Sequence, residues 1–304
     1  MENEKPRISV VIPTFNRWTT LPRAIESVLN QSSQPEEIIV VDNGSLDETM
    51  RKVKIHYPSI KLLFEKKIGV SAARNLGIRA SKGNWVAFLD SDDEWCQNKL
   101  ERQILCQKLS LKGERLVHTN ELWKKNNVLR TQMKKHKKAG GNIFFSCLPL
   151  CCISPSSTLI RKDVFQDIGY FDENLPACED YDFWLRFCAN EEVLFVDDNL
   201  IIKHGGHTDQ LSKKYWAMDR FRIYALEKLM KTTVLPSEHY KATFEMLISK
   251  LDVLINGGRK HKNKSLLYFY TNKKNYWLGS DANSKENNQI KIRKTMEYCG
   301  YYYE

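Results

Sequence analysis

The chain has 304 residues and a mass of 35.6 kDa, room for one large α/β domain or two smaller ones. Hydrophobic residues make up 42% and charged residues 28%, enough apolar surface to exclude a disordered chain, and only 14 glycines exclude a collagen repeat. Lys and Arg number 47 against 37 Asp and Glu, a formal charge of +10 that draws anionic partners.

No run approaches the ~18 uninterrupted apolar residues of a membrane span. The start, MENEKPRIS, lacks the basic then long apolar pattern of a signal peptide, so a cytoplasmic protein is expected. The first 90 residues alternate strand and helix. Ile8 to Ile12 and Glu37 to Val41 are short, β-branched and continuously apolar, as strands buried on both faces are. Between them Leu21, Ala24, Ile25, Val28 and Leu29 recur at helical spacing. A strand at Lys61 to Phe64 precedes a helix led by Gly69, whose Ala72, Ala73, Leu76 and Ala80 are expected to face inward. Trp85 to Leu89 then runs straight into Asp90. This alternation predicts a doubly wound α/β sheet.

Further along, the pattern predicts a helix over about Gln97 to Leu111 and a strand near Leu116 to Asn120. Lys124 to Gly141 reads as an exposed basic loop or hairpin. Strands are expected at Ser157 to Ile160 and Val193 to Ile202, with a helix around Tyr181 to Ala189. From Lys213 the strands stop. Trp216, Phe221, Ala225, Leu226 and Leu229, then Phe244, Leu247, Leu251 and Leu254, recur at helical spacing. The expected division is therefore residues 1–212, a catalytic domain, and residues 213–304, a helical region for acceptor, membrane or oligomer contacts.

Eight cysteines (96, 106, 147, 151, 152, 178, 188 and 299) include no C-x-x-C pair, which argues against structural zinc and for reduced cysteines filling small apolar spaces.

In an open parallel sheet, ligands bind beyond the carboxyl ends of the strands. There the sequence has Pro13, Thr14, Phe15, Asn16 and Arg17, then Asp42, Asn43, Gly44 and Ser45, then Asp90, Ser91, Asp92 and Asp93. No G-x-G-x-x-G follows the first strand and no phosphate-binding G-x-x-x-x-G-K-[ST] exists, so glycine-rich backbone does not hold a phosphate here. Carboxylates crowded at a strand end are a site for a hard cation, and equally an acidic turn. Glu179-Asp180-Tyr181-Asp182 reads either as acids favoured by a helix dipole, Asp180 capping, or as a general base beside a substrate hydroxyl. Arg74 could pair with an acid or aim at a phosphate, and His204 and His207 could reach a metal or phosphate or simply be exposed.

With these residues collected, Ile8 to Ser212 resembles the family 2 glycosyltransferases through VVIPTFNR, IIVVDNGS, GVSAARNLGI, WVAFLDSDDEW and GYFDENLPACEDYDFWLR, in order. The resemblance implies a GT-A fold, a Rossmann-like and mostly parallel sheet flanked by helices, with a C-terminal helical appendage. It implies a nucleotide-diphospho-sugar donor, most often a UDP-sugar, a divalent Mn²⁺ or Mg²⁺ cofactor, and an inverting transfer. Carried over, Pro13, Thr14, Asn16 and Arg17 would line the nucleoside pocket, Asp42 would bond uracil or ribose with Asn43 beside it, and Arg74 would lie against the nucleotide. Asp92 resembles the direct metal ligand, and Asp90 lies nearer the ribose or a metal-bound water, with Ser91 between them. Asp180 matches the catalytic base, following Glu179. His204, or His207, resembles a histidine that reaches the metal or diphosphate.

Two other classes compete: a donor-fold binding protein without catalysis, and a nucleic-acid binder. Retained Asp90, Asp92 and Asp180 argue against the first, and the lack of any nucleic-acid motif beside the lysines argues against the second. The cluster Lys124, Lys125, Arg130, Lys134, Lys135, Lys137 and Lys138 reads as a solvated loop or as a dock on an anionic membrane face. The latter would suit a glycan or lipid-linked acceptor in cell-surface polysaccharide or lipopolysaccharide synthesis.

Overall fold

The structure, a computed structural model, describes residues 6–126, 128–133, 136–206 and 214–283. Lys134, Lys135, His207, Ser212, Lys213 and Cys299, all singled out above, lie outside the described residues. Among the described residues nine strands form one sheet: β1 (Ile8–Thr14), β2 (Glu37–Asp42), β3 (Lys61–Phe64), β4 (Trp85–Phe88), β5 (Glu94–Trp95), β6 (Leu116–Lys125), β7 (Val128–Arg130), β8 (Leu159–Arg161) and β9 (Leu194–Gly205). Their order is β3-β2-β1-β4-β8-β6-β9-β5, with β7 hairpinned onto β6.

The parallel pairing expected from the apolar runs holds for β3, β2, β1 and β4. Beyond β4 the sheet is mixed: β8 is antiparallel to β4 and β6, β9 is parallel to β6, and β5 is antiparallel to β9. Pro13 is tolerated in central β1 because pairing with β4 stops at Val11, so its missing N–H deprives only a single-sided ladder.

Helices cover both faces of the parallel part. α1 (Leu21–Leu29) sets Leu21, Ala24, Ile25 and Val28 against Ile8, Val10 and Ile12. α3 (Val70–Ala80) packs on the opposite face, so closely that a Cβ on Gly77 would stand 2.3 Å from a Val11 methyl. Its buried side differs from the expected one. Leu76 and Ala80 are only half-buried, whereas Arg74, Asn75 and Gly77 are buried. Asn75 explains its own burial: its amide donates to the Phe171 carbonyl (2.9 Å) and accepts from the Phe171 N–H (3.1 Å), pinning the chain ahead of the helix at Glu179–Cys188. Phe171, Phe183 and Phe88 form the aromatic core of that side, with ring centroids 4.7 and 5.5 Å apart.

The remaining helices are α2 (Thr49–His56), α4 (Lys99–Leu109), α5 (Phe144–Cys147), α6 (Val164–Asp167), α7 (Glu179–Cys188), α8 (Asp219–Thr232), α9 (Ser237–Lys260) and α10 (Lys264–Asn283). The strand expected from Ser157 begins at Leu159, after a 3₁₀ turn at Pro155–Ser157. Trp216 is not part of the helical stripe but 55% exposed ahead of α8. The chain divides into compact units Met1–Phe244 and Glu245–Glu304. Within the second unit, Lys274 of α10 binds Asp252 of α9 at 2.7 Å, and Asn263 receives the Leu266 N–H at the start of α10.

The basic segment is the β6–β7 hairpin and the chain after it. Lys125, Arg130 and Lys137 are exposed, but Lys138 is buried, donating to the Cys152 carbonyl (2.9 Å) beside Glu121. It therefore belongs to the interior and not to a solvated loop.

Candidate active site

Three strand ends and the start of α7 meet at one edge of the sheet. Arg74 carries the junction. Its guanidinium donates to Glu179 (2.6 Å) and to Asp90 (2.7 Å) and lies over the Phe171 ring, binding α3, the end of β4 and α7 together. A planar fork suits two carboxylates as an ammonium would not. Burial works against the Arg74 charge, but Asp90 and Glu179 outweigh it and hold the proton firmly. Burial likewise opposes ionised Asp90, and Arg74 with Lys203 still keeps its carboxyl below the usual range. Glu179, desolvated and beside Asp180, is pushed up to about 7.

Asp92 accepts from Arg17 (3.2 Å), its side chain is 21% exposed, and its backbone carbonyl receives Arg23 (2.6 Å). Burial and the neighbouring Asp90 charge raise its carboxyl. Ser91 is buried between them. Asp93 is buried deeper: it accepts from Ser156 (2.7 Å), whose hydroxyl also receives the Asp90 N–H (3.1 Å), and burial pushes it up to about 8.

The β1 and β2 loops are laced together. Asn16, in the left-handed region at φ 51°, accepts from the Leu46 N–H (2.7 Å) and donates its own N–H to Ser45 (2.8 Å). Asp42 is fully buried; Oδ2 accepts from the Ser45 N–H (3.1 Å), while Oδ1 and the Thr14 hydroxyl beside Pro13 have no partner among the described residues. Asn43 spends its amide on the chain, donating to the Glu65 and Lys67 carbonyls and accepting from the Gly69 N–H (2.7 Å), which sets the entry to α3.

Asp180 lies in the first turn of α7 and does not cap it; the cap position is Cys178, strained at φ 62°, with no side-chain cap bond. Asp180 receives the Cys151 thiol at 3.3 Å. Asp182, one turn in, is structural, tied to Arg186 (2.8 Å) and Lys228 (3.1 Å). His204 is turned to Glu94 (3.2 Å). Among the described residues no group of three His, Cys, Asp or Glu side chains is disposed to hold a metal ion. The donor set present, half-buried Asp92 with Asp90 beside it, fits the cation that takes one or two carboxylates and completes its shell with phosphate oxygens and water.

Sequence reasoning placed Asp93 in the acidic turn but missed Ser156, Cys151 and Lys203 as members of the crevice. Of these only Lys203 had a visible signal, a cation closing the apolar run LII within a strand.

The sequence profile described as Glycosyl transferase family 2 matches residues 9–169, more than half of the chain. The chain belongs to glycosyl transferase family 2. Within that family, an uncharacterized glycosyltransferase of Rickettsia felis is 33% identical over 215 residues, covering 69% of this chain and 36% of the relative. The match thus spans about a third of that relative's length. The Bacillus subtilis protein TuaG, named as a candidate teichuronic acid biosynthesis glycosyltransferase, is 38% identical over 109 residues, 34% of this chain and 43% of its own. Among solved structures, S. aureus TarS 1–349 in complex with UDP-GlcNAc superposes with a TM-score of 0.65 at 19% identity, covering 85% of this chain and 76% of that one. That likeness establishes the GT-A type of fold for this family 2 chain.

Proposed function

We propose that the chain transfers a sugar, with inversion, from a nucleotide-diphospho-sugar to an acceptor hydroxyl. The observation that carries this reading is the Arg74 bridge, which joins the acid after β4 to the acid pair of α7 in a single crevice. A UDP-sugar donor is supported by the UDP-GlcNAc bound to the similarly folded TarS. Pro13, Thr14, Asn16, Arg17, Asp42 and Asn43 form the nucleoside end. The orphaned Asp42 Oδ1 and Thr14 hydroxyl are buried acceptors that a base or ribose donor would satisfy. Asp180 accepts the proton of the acceptor hydroxyl as it attacks from the face opposite the leaving diphosphate, a role typically contributing ~10²–10⁴-fold. One displacement inverts the anomeric centre, so an α-linked donor yields a β-linkage. Asp92, with Asp90, would hold Mg²⁺ or Mn²⁺, which supplies Lewis-acid stabilisation of the departing diphosphate when bound. His204 belongs to this metal set only if it leaves Glu94.

The acceptor class is a glycan or lipid-linked glycan of a surface polysaccharide, in line with the name of the TuaG relative. No helix among the described residues is long and apolar enough to cross a membrane. An anionic membrane face is reached instead through the β6–β7 hairpin, where Val128, Leu129 and Met133 are exposed among Lys125, Arg130 and Lys137.

The test is thermal unfolding with UDP, with and without Mn²⁺, on wild type and Asp92→Ala, followed by turnover of UDP-sugars with Asp180→Asn as control. Ligand at 100 times Kd adds ~2.7 kcal/mol, a rise of several degrees. Stabilisation greatest with UDP and Mn²⁺ together, the metal increment lost in Asp92→Ala, is the expected result. Stabilisation by another nucleotide alone would change the donor. Binding without turnover of any sugar would select the non-catalytic reading.

A further inference from the structure

The cations of the crevice are not equivalent. Arg74 is held by Asp90 and Glu179, Arg17 by Asp92, and Lys138 by the Cys152 carbonyl with Glu121 at 3.5 Å. Lys203 is different. It lies on β9 opposite Trp123 of β6, two positions beyond Ile201, which pairs with Glu121, so it shares a sheet face with that buried carboxylate. The preceding residue, Ile202, pairs with Glu94 of β5, which carries the strand beneath the Asp90–Asp93 turn. Its side chain is half-buried, and among the described residues its ammonium makes no hydrogen bond and no ion pair within 4 Å. The carboxylates of Glu121, Asp93, Asp90 and Asp180 are near enough to act on its charge.

An ammonium steadied by several carboxylates but bonded to none keeps its three donors for an incoming group. An anion reaching Arg74 or Arg17 must first displace a carboxylate, and one reaching Lys203 need not. The group that must enter this crevice with several negative charges is a nucleoside diphosphate. We infer that Lys203 anchors the diphosphate of the donor independently of any metal, so that affinity has a chain-borne part at Lys203 and a metal-borne part at Asp92. This rests on the donor reading above and adds to it a residue that no motif supplies.

The experiment is calorimetric titration of the full chain with UDP and with uridine, in EDTA and then in Mn²⁺, for wild type, Lys203→Gln and Lys203→Arg. In EDTA wild type should prefer UDP to uridine by about 10- to 100-fold, the worth of a hydrogen bond to a charged group. Lys203→Gln should bring UDP to the affinity of uridine while leaving uridine unchanged, and Lys203→Arg should keep most of the preference. Equal affinities for UDP and uridine in EDTA with wild type, or an unchanged preference in Lys203→Gln, overturn the inference. If Lys203→Gln fails to fold, the wild-type ratio decides. UDP binding seen only with Mn²⁺ overturns the Lys203 role and leaves the donor reading standing. Loss of binding under both conditions takes the donor reading with it.

Discussion

At the scale of single residues, the family motifs name the acids but not what they lean on. Asp90, Asp92 and Asp180 stand out as acids beside apolar runs, whereas Ser156, Cys151 and Lys203 come from segments whose spacing says nothing about the crevice. Cys151 and Ser156 lie in the chain leading into β8 and Lys203 lies on β9, so only long-range pairing brings them in. His118 is a second residue no pattern exposes. It is fully buried on β6, its Nε2 against the Ala139 carbonyl (2.8 Å), its Nδ1 without a partner among the described residues, and burial with nearby Lys138 pushes its pKa down to about 3. An unfolded histidine takes a proton below about 6.5. Between that value and about 3 the unfolded chain holds the extra proton, so this residue's contribution to stability falls as pH drops. The slope is about 1.4 kcal/mol per pH unit, about 2 kcal/mol by pH 5. Asp93 and Glu179, raised acids, titrate in the opposite sense, so the difference between wild type and His118→Gln is the quantity to read. Urea denaturation should show wild type ahead at pH 7 and the gap narrowing by pH 5. A gap independent of pH would mean the imidazole is protonated in the fold.

At the scale of elements, legibility follows burial. β1, β2 and β4 are covered on both faces, so unbroken β-branched runs betray them, and α1 shows its stripe because one face meets the sheet. α2 leaves no such stripe because it buries only Thr49 and Val53. α10 escapes the periodicity because its apolar residues are scattered, with Tyr268, Phe269, Tyr276 and Leu278 exposed. The antiparallel direction of β8 is a property of partners and not of its three residues. α3 is the element on which fold and site depend together, since Gly77 lets it approach β1 and Arg74 on the same helix makes the bridge. Gly77→Ala gains up to ~1 kcal/mol of helix propensity but drives a methyl into Val11, a clash typically costing ~1–3 kcal/mol. Net destabilisation in urea is expected, partly relieved by adding Val11→Ala, with weaker nucleotide binding from a displaced Arg74. A stabilised Gly77→Ala would mean that α3 and β1 have slack at this crossing.

At the scale of the whole molecule, the formal charge of +10 is a poor guide to where cations act. Several face inward, Arg74, Lys138 and Lys99 among them; Lys99 is fully buried 3.9 Å from the Trp95 ring centroid, and burial holds its pKa well below the usual lysine value. The basic run read as one cluster is therefore divided. Lys138 serves the interior, and among the described residues Lys125 and Arg130 of the hairpin and Lys137 after it face outward. The membrane contact proposed for that surface draws on its apolar content: Val128, Leu129 and Met133 are 55%, 60% and 57% exposed in the same stretch of chain as those cations. Cations draw such a tip to anionic headgroups at about 1 kcal/mol each, and buried methyl and methylene groups then hold it there. The two terms respond differently to salt, because only the first is screened. Flotation with vesicles containing phosphatidylserine should therefore fall when Lys125, Arg130 and Lys137 are all changed to Gln, and the wild-type signal should weaken as salt rises. Val128→Ser with Leu129→Ser should reduce flotation at low and high salt alike. Equal flotation of the neutralised variant would move the membrane contact elsewhere on the molecule. No flotation of wild type at low salt would remove the membrane from the reading and leave a freely diffusing acceptor.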